Sequence, residues 1–447
     1  MAPILKRGRK LTLLAMAAGA LAMLSTPQAS ALGLMEAYQA ALQNDATYRS
    51  AFYAREAGQE NRILGRSNLL PNIAGSFNGS QNRTTVTYGN GQPRPLDYIS
   101  RSSTIQLRQT LFNIDAWARY KQGAAQADYA QAQFESQQQE VIVRVVNAYV
   151  DTLFKEDLLE LAKVERDVYV EQRKVNDRLF EKGEGTRTDM LETQARLDAA
   201  EAGVLEMQDA LNNSRTTLAA VIGGDVGTLD RIMPDFRARP ADLVGFEAWK
   251  KIALERNPDI KMLTFGVEIA RQEVLKSRAG HAPRVDFVGT YGKVSSDSIQ
   301  TVGQDQTVRS IGVQVNIPLY SGGAVNASSR QSVANQEKAK ADLQVQIDKI
   351  LTELRKDYDS LLSSAARIDA LMKSVASAEL LIKATEQSVK GGVRINLDVL
   401  NSKQQLYTSK RDLAQARYNY LVNTLRMRAC VGTLSGEDVR EVAAYFR

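Results

Sequence analysis

Charged and polar side chains gather at two short stretches that interrupt long helical patterns. One is Phe180–Leu191, F-E-K-G-E-G-T-R-T-D-M-L, and the other is Val389–Asn401, V-K-G-G-V-R-I-N-L-D-V-L-N. Glycines break the helix in each (Gly183 and Gly185; Gly391 and Gly392), and Thr188 with Asp189, or Asn396 with Asp398, restart it. Both turns keep one register: Asp189 and Asp398 are 209 residues apart (398 − 189), as are Leu191 and Leu400. Carboxylates beside Arg187 or Arg394 in such a turn can attract cations or pair with charges on a partner. Taken alone, Asp189 and Asp398 read as N-cap or first-turn carboxylates, and Glu192 gives Asp189 a capping-box spacing.

The rest of the sequence offers little other chemistry. A single histidine, His281, excludes a multi-histidine metal site, and the single cysteine, Cys430, excludes an internal disulfide. Cys430 sits in R-M-R-A-C-V-G and reads as a small core residue. There is no G-x-S-x-G, phosphate loop, zinc spacing or nucleophile–histidine arrangement, so neither an enzyme nor a bound cofactor is expected.

Lys6, Arg7, Arg9 and Lys10 precede an apolar run, Leu11–Leu24, and then Ala29-Ser30-Ala31. This is the form of an export signal, residues 1–31, too short in its apolar part to span a bilayer. The net charge of +6 falls to about +2 without those four cations, and no basic cluster points to nucleic acid.

The elements that position the two turns come from an internal duplication. Ala41-Leu42, Glu56, Arg66 and Pro71 recur 212 residues on (283 − 71), and Tyr149, Asp189, Leu197 and Gly223 recur at the 209 offset. Repeat 1 spans 32–240 and repeat 2 spans 241–435, with a seam around 225–240 and a tail at 436–447. Each repeat has a first helix (about 34–67; 246–280) ended by a proline, then a hairpin (about 71–113; 283–320). A very long helix follows (about 115–182; 324–390), then the turn (183–189; 391–398) and a return helix (about 188–222; 397–431). Pro71, Pro283 and Pro318 are read as strand entries. Ile73, Gly75 and Phe77 share one strand face, as do Ile105 and Leu107. Val285, Phe287, Gly289 and Tyr291 repeat the pattern, and so do Ile311, Val313 and Val315. In each case the opposite face is polar.

Strands with one apolar face admit two readings. Helices could cover that face, as in a soluble coiled-coil adaptor or scaffold of the periplasm. Alternatively it faces lipid while the polar face lines a lumen. Four strands cannot close a barrel, for which about eight is the usual minimum, so the second reading requires several copies.

From Gly391 onward, G-G-V-R-I-N-L-D-V-L-N-S-K-Q-Q-L-Y-T-S-K-R-D-L closely resembles the C-terminal repeat of TolC-type outer-membrane channels. E-A-Y-x-x-A-L and A-L-x-x-N-P resemble the starts of that family's two repeats. In overall look the chain is most similar to outer-membrane components of type I protease secretion, with small-molecule efflux as the alternative. The resemblance implies a homotrimer in the outer membrane: a shared twelve-stranded β-barrel carried on a long α-helical coiled-coil barrel. It also implies an inner-membrane ABC transporter, a periplasmic membrane-fusion adaptor and an exported protein cargo as partners. By the same resemblance Asp398 would ring the periplasmic gate, and Arg394 would tie the inner helical pair to Thr188 and Asp189 of an outer pair. Asn401 and Val389 depart from the pattern, where efflux members carry a second aspartate and a tyrosine, which implies a looser gate.

Overall fold

The computed structural model describes residues 31–87, 89, 91–233, 236–238, 245–296 and 304–447; the export signal, much of the seam and parts of both strand loops lie outside them. Each half begins with two short helices. They are α1 (Leu34–Asn44) and α2 (Ala46–Ser67) in the first, and α5 (Phe246–Arg256) and α6 (Pro258–Arg278) in the second. The sequence pattern reads each pair as one helix. Asp45 interrupts the first, its Oδ1 accepting the N–H groups of Thr47 and Tyr48, and Asn257 interrupts the second, capping Asp259 and Ile260 ahead of Pro258 at the first turn.

These breaks lock onto the far ends of the return helices, α4 (Arg187–Ile222) and α8 (Asn396–Val431). Asn44 Nδ2 donates to Ile222 O at 2.9 Å, and Asn257 Nδ2 donates to Cys430 O at 2.8 Å. Asn257 thus performs both tasks that Asn44 and Asp45 divide between them. Both return helices then end on a left-handed glycine, Gly223 (φ +73) and Gly432 (φ +80). A Cβ on Gly432 would lie 2.6 Å from Asn257 Cα, so the close approach also requires glycine.

The long helices are α3 (Ile114–Glu181, 68 residues) and α7 (Ala324–Lys390, 67 residues), each on the order of 100 Å at about 1.5 Å per residue. A length of that order outruns either partner, so α3 is flanked by α2 toward the sheet and by α4 toward the turn. The α2–α3 crossing is backbone-close: a Cβ on Gly123 would sit 2.3 Å from Asn61 O and 3.0 Å from Gly65 Cα. The main core lies midway, where Tyr149, Leu153, Leu218, Leu354, Leu421 and Leu425 are buried. Tyr149 Oη donates to Leu32 O (2.8 Å) and accepts from Asp230 N–H (3.1 Å), fixing the start of repeat 1 to the seam. Residues 436–447 are not a loose tail. They form α9 (Gly436–Ala443), bury Val439, Val442 and Phe446, and pair Arg447 with Arg231 through the backbone. Cys430 is half-buried beside Asp357 (3.7 Å); burial pushes its thiol up to about 12, which keeps it unreactive.

The four strands are β1 (Asn72–Val86), β2 (Arg94–Phe112), β3 (Arg284–Ser296) and β4 (Gln304–Asn316). They form one antiparallel meander in the order β1-β2-β3-β4. Pro71 and Pro283 directly precede β1 and β3, whereas Pro318 follows β4 and ends it. Paired residues place Ile73, Leu107, Gly289 and Ile311 in one row, with Phe287 and Val313 in the next. The other face carries Gln106, Thr290, Ser310 and the Arg108–Asp286 ion pair, Nε to Oδ2 at 3.0 Å. Among the described residues no helix roofs the apolar face: Ile73, Phe77 and Ile311 remain 70 %, 72 % and 81 % exposed in the protomer. Among the described residues no helix is long and apolar enough to cross a membrane.

The Gly123 crossing yields a direct test. Gly123→Ala should lower stability by about 1–3 kcal/mol through overpacking, while Gly203→Ala, where nothing lies within 4 Å, should be neutral or stabilising through helix propensity. Thermal unfolding of the purified protein would check both; equal melting temperatures would show that α2 and α3 are not in backbone contact.

Candidate functional site

The two turns are built alike. In the first, Gly183 N–H donates to Phe180 O, while Glu184 and Gly185 N–H both reach Leu179 O. In the second, Gly392 N–H donates to Val389 O, and Val393 and Arg394 N–H reach Ser388 O. Every bond recurs 209 residues on (392 − 183). Gly183 (φ +74) and Gly392 (φ +72) hold the left-handed position that favours glycine. Gly391 has an ordinary φ of −83. Gly185 sits tightly, since a Cβ there would lie 3.0 Å from Phe180 N. Arg394 occupies the matching place, and its N–H bond is longer there, 3.4 Å against 3.1 Å.

The caps differ, and that difference separates the two aspartates. Thr186, not Asp189, is the N-cap of α4: its Oγ1 accepts Asp189 N–H at 3.1 Å. Asp189 Oδ2 answers by accepting Thr186 O–H (2.6 Å) and N–H (3.3 Å). The capping box is therefore Thr186–Asp189 rather than Asp189–Glu192. At the second turn the N-cap is Ile395, which has no side chain to cap with. Asp398 gives its N–H to Ile395 O (3.1 Å), and its carboxylate has no bonded partner among the described residues. It favours the positive end of α8 only through the helix field.

Behind the turns a polar network joins the two hairpins within one chain. Asn176 and Thr193 are buried, and Asn176 Nδ2 donates to Thr193 Oγ1 at 2.7 Å. Thr385 and Ser402 repeat that buried pair at 3.3 Å, again 209 residues on (385 − 176). Asn396, read from sequence as a capping residue, points elsewhere. Gln172 donates to its Oδ1 (3.0 Å), and its own Nδ2 reaches Thr193 (3.4 Å). Lys403 donates to Gln172 Oε1 (3.1 Å) and lies 3.7 Å from Glu386. Burial lowers the Lys403 pKa, and Glu386 partly opposes that shift. Apart from Asn396, these residues lie one or more helical turns from the charged tips, so sequence reading missed them; the 209 offset between two Asn/Thr–Thr/Ser pairs was the available signal.

Arg394 and Asp189 line a common cleft of about 650 Å³ with Val389, Asn396 and Glu386. Arg394 is exposed and forms no ion pair in the protomer among the described residues. Thr188 is exposed at the first turn. Asn401 is exposed and accepts from Arg196 at 3.2 Å. Each chain therefore presents at the same end, opposite the sheet, the engaged carboxylate of Asp189 together with the free carboxylate of Asp398 and the unpaired guanidinium of Arg394. Among the described residues no His, Cys, Asp or Glu cluster could hold a metal.

Comparison with known proteins fits this geometry. The family model "Outer membrane efflux protein" matches twice, over residues 37–224 and 249–433. The chain is 39 % identical over 433 residues to alkaline protease secretion protein AprF of Pseudomonas aeruginosa, covering 96 % of this chain and 90 % of that one. It is 35 % identical to proteases secretion protein PrtF of Dickeya chrysanthemi, covering 95 % and 93 %. In fold it is similar to the CmeC outer membrane channel of Campylobacter jejuni, with a TM-score of 0.79 at 16 % identity over 93 % and 90 % of the two chains. With two matched copies of the model and full-length relatives, the chain belongs to the outer membrane efflux protein family, the TolC-type outer-membrane channels.

Proposed function

We propose that this protein is the outer-membrane channel of a type I secretion system. It is a passive conduit that carries proteins to the exterior when an inner-membrane ABC transporter and a periplasmic adaptor engage it. The observation that carries the reading is the uncovered sheet, whose apolar face suits lipid and whose polar face suits a lumen. Its two outer edges need partners, and three copies of four strands give a closed cylinder of twelve. Protein cargo, rather than small molecules, is supported by the secretion roles named for the relatives at 39 % and 35 % identity.

The paired turns form the gate in this reading. Asp398 lies at the constriction, where the free carboxylates of sister copies approach, attract cations and resist closure. Arg394 supplies the opposing contact, to Thr188 and Asp189 of a neighbouring copy. Asn401 and Val389 leave the gate with a single acidic ring and no tyrosine latch.

Three outcomes follow. Loss of the gene should leave a secreted protease inside the cell; unchanged protease export with new sensitivity to small toxic compounds would instead make the protein an efflux channel. Asp398→Ala should lower cation preference several-fold in planar bilayers, and unchanged selectivity would remove Asp398 from the constriction. Arg394→Ser should raise the open fraction, with the loss of a partly exposed ion pair worth about 0.2–1 kcal/mol; an equally closed channel would show that Arg394 ties nothing.

A further inference from the structure

The lipid-side face of the sheet changes character partway up. From the helix end, its rows run Val285 and Val315, then Phe287 and Val313, then Ile73, Leu107 and Ile311, then Ile105 with Tyr291. In that last row β4 contributes Arg309. The next row places Lys293 beside Phe77 and Ser103, and the one beyond places Arg101 beside Gly79 and Ser295. Three cations therefore climb the same face on three adjacent strands, in three consecutive rows. All three are exposed, and none has a carboxylate partner among the described residues. The nearest acid in register is Asp305, in the row of Arg101 but on β4.

Their height on the strand fits an interface. Arg309 is six residues above Val315, the bottom of the apolar band. At about 3.4 Å per residue and a tilt of roughly 40°, that is about 16 Å. A long side chain reaching upward from there meets the top of a hydrocarbon layer about 25 Å thick. Tyr291 and Phe77 occupy the same two rows, as aromatic residues do at membrane boundaries. The Arg309 guanidinium lies 5.7 Å from the Tyr291 ring centre. On the other side of Tyr291, toward Phe77, is a shallow groove of about 360 Å³ lined by Gly75, Phe77, Ile105, Tyr291 and Lys293.

We propose that this groove and the Arg309–Lys293–Arg101 ladder bind the phosphorylated saccharolipid of the outer leaflet, lipid A. Its acyl chains lie along Phe77, Ile105 and Tyr291, and its phosphates meet the cations. A zwitterionic phospholipid would supply the chains but not the net negative charge that three unpaired cations require. The inference rests on the channel reading, because it needs the odd-numbered strand face to meet lipid.

The test uses the full-length protein, inserted into phosphatidylethanolamine vesicles that lack or contain lipid A. Companion vesicles contain dephosphorylated lipid A or phosphatidylglycerol. Lipid A should raise the melting temperature and remain bound through purification, detected by native mass spectrometry. The triple variant Arg101→Gln, Lys293→Gln, Arg309→Gln should insert normally yet bind lipid A at least about tenfold more weakly, each cation near a charged surface being worth about a factor of five. Arg83→Gln is the control, since Arg83 already faces Asp97 at 3.6 Å, and should bind as the parent does. Equal binding by parent and triple variant would overturn the proposal. So would equal stabilisation by dephosphorylated lipid A or by phosphatidylglycerol. Failure of the parent to insert into any vesicle would instead sink the channel reading itself.

Discussion

The outer edges of β1 and β4 govern this structure. Each is a row of backbone N–H and C=O groups with no partner in the protomer, on a sheet whose apolar face no helix covers. In water such an edge invites aggregation, and in hydrocarbon each unsatisfied group costs several kcal/mol. Closure by further copies removes both problems at once. In the proposed channel it also accounts for the length of α3 and α7: a short barrel reaching for partners across another compartment would need an extension, and a pair of helices on the order of 100 Å long would supply it. The helical packing, the midway core around Tyr149 and the stapled α9 all serve to keep that extension straight under a sheet that cannot stand alone.

Duplication built the extension, and the two copies have since diverged where it matters. The turns agree hydrogen bond for hydrogen bond, and the buried pairs Asn176–Thr193 and Thr385–Ser402 agree behind them. Geometry was thus preserved while chemistry moved. Thr186 and Asp189 satisfy each other in the first copy, whereas Ile395 leaves Asp398 unengaged in the second. Gly185 is pinned by Leu179 and Phe180, while its counterpart is the exposed Arg394. The two aspartates thus differ in what holds them, Asp189 being tied into its cap while Asp398 is not.

What the sequence made legible follows the strength of each physical signal. Long helices and the apolar strand faces at Ile73–Phe77 and Val285–Tyr291 have strong periodicity, and the structure has them. The strand segments Arg94–Ser103 and Gln304–Val308 carry no clean apolar/polar alternation, because Arg, Asp, Ser and Gln interrupt both faces there. Ladder hydrogen bonds to neighbouring strands, which no local pattern reports, make them strands. The helix breaks at Asp45 and Asn257 were written in Asn-Asp and Asn-Pro, but apolar periodicity runs through them and masked the caps. At the first turn Thr188, Asp189 and Glu192 offered a plausible capping box one turn late; Thr186, directly after the glycines, won because its hydroxyl faces Asp189 N–H without lengthening the turn. The network through Gln172, Asn396 and Lys403 joins residues more than 200 positions apart and leaves no local trace.

The energies at the turn end explain why such a gate would answer to a partner rather than to its own charges. Like charges within about 8 Å near a protein surface repel by roughly 2 kcal/mol per pair, and one exposed ion pair returns about 0.2–1 kcal/mol. Charge alone therefore leaves a closed acidic ring strained. Yet Tyr169 on α3, Leu197 on α4 and Leu400 on α8 are buried together just behind the turns, 1 %, 5 % and 0 % exposed. Parting the hairpins far enough to wet those three side chains would cost about 5–9 kcal/mol. Per protomer, one carboxylate pair of roughly 2 kcal/mol in the proposed ring would be too small to drive that separation, but would favour it once docking supplied most of the difference. In the proposed gate, that balance would keep the channel shut in isolation and let it open for an assembly that grips its turns.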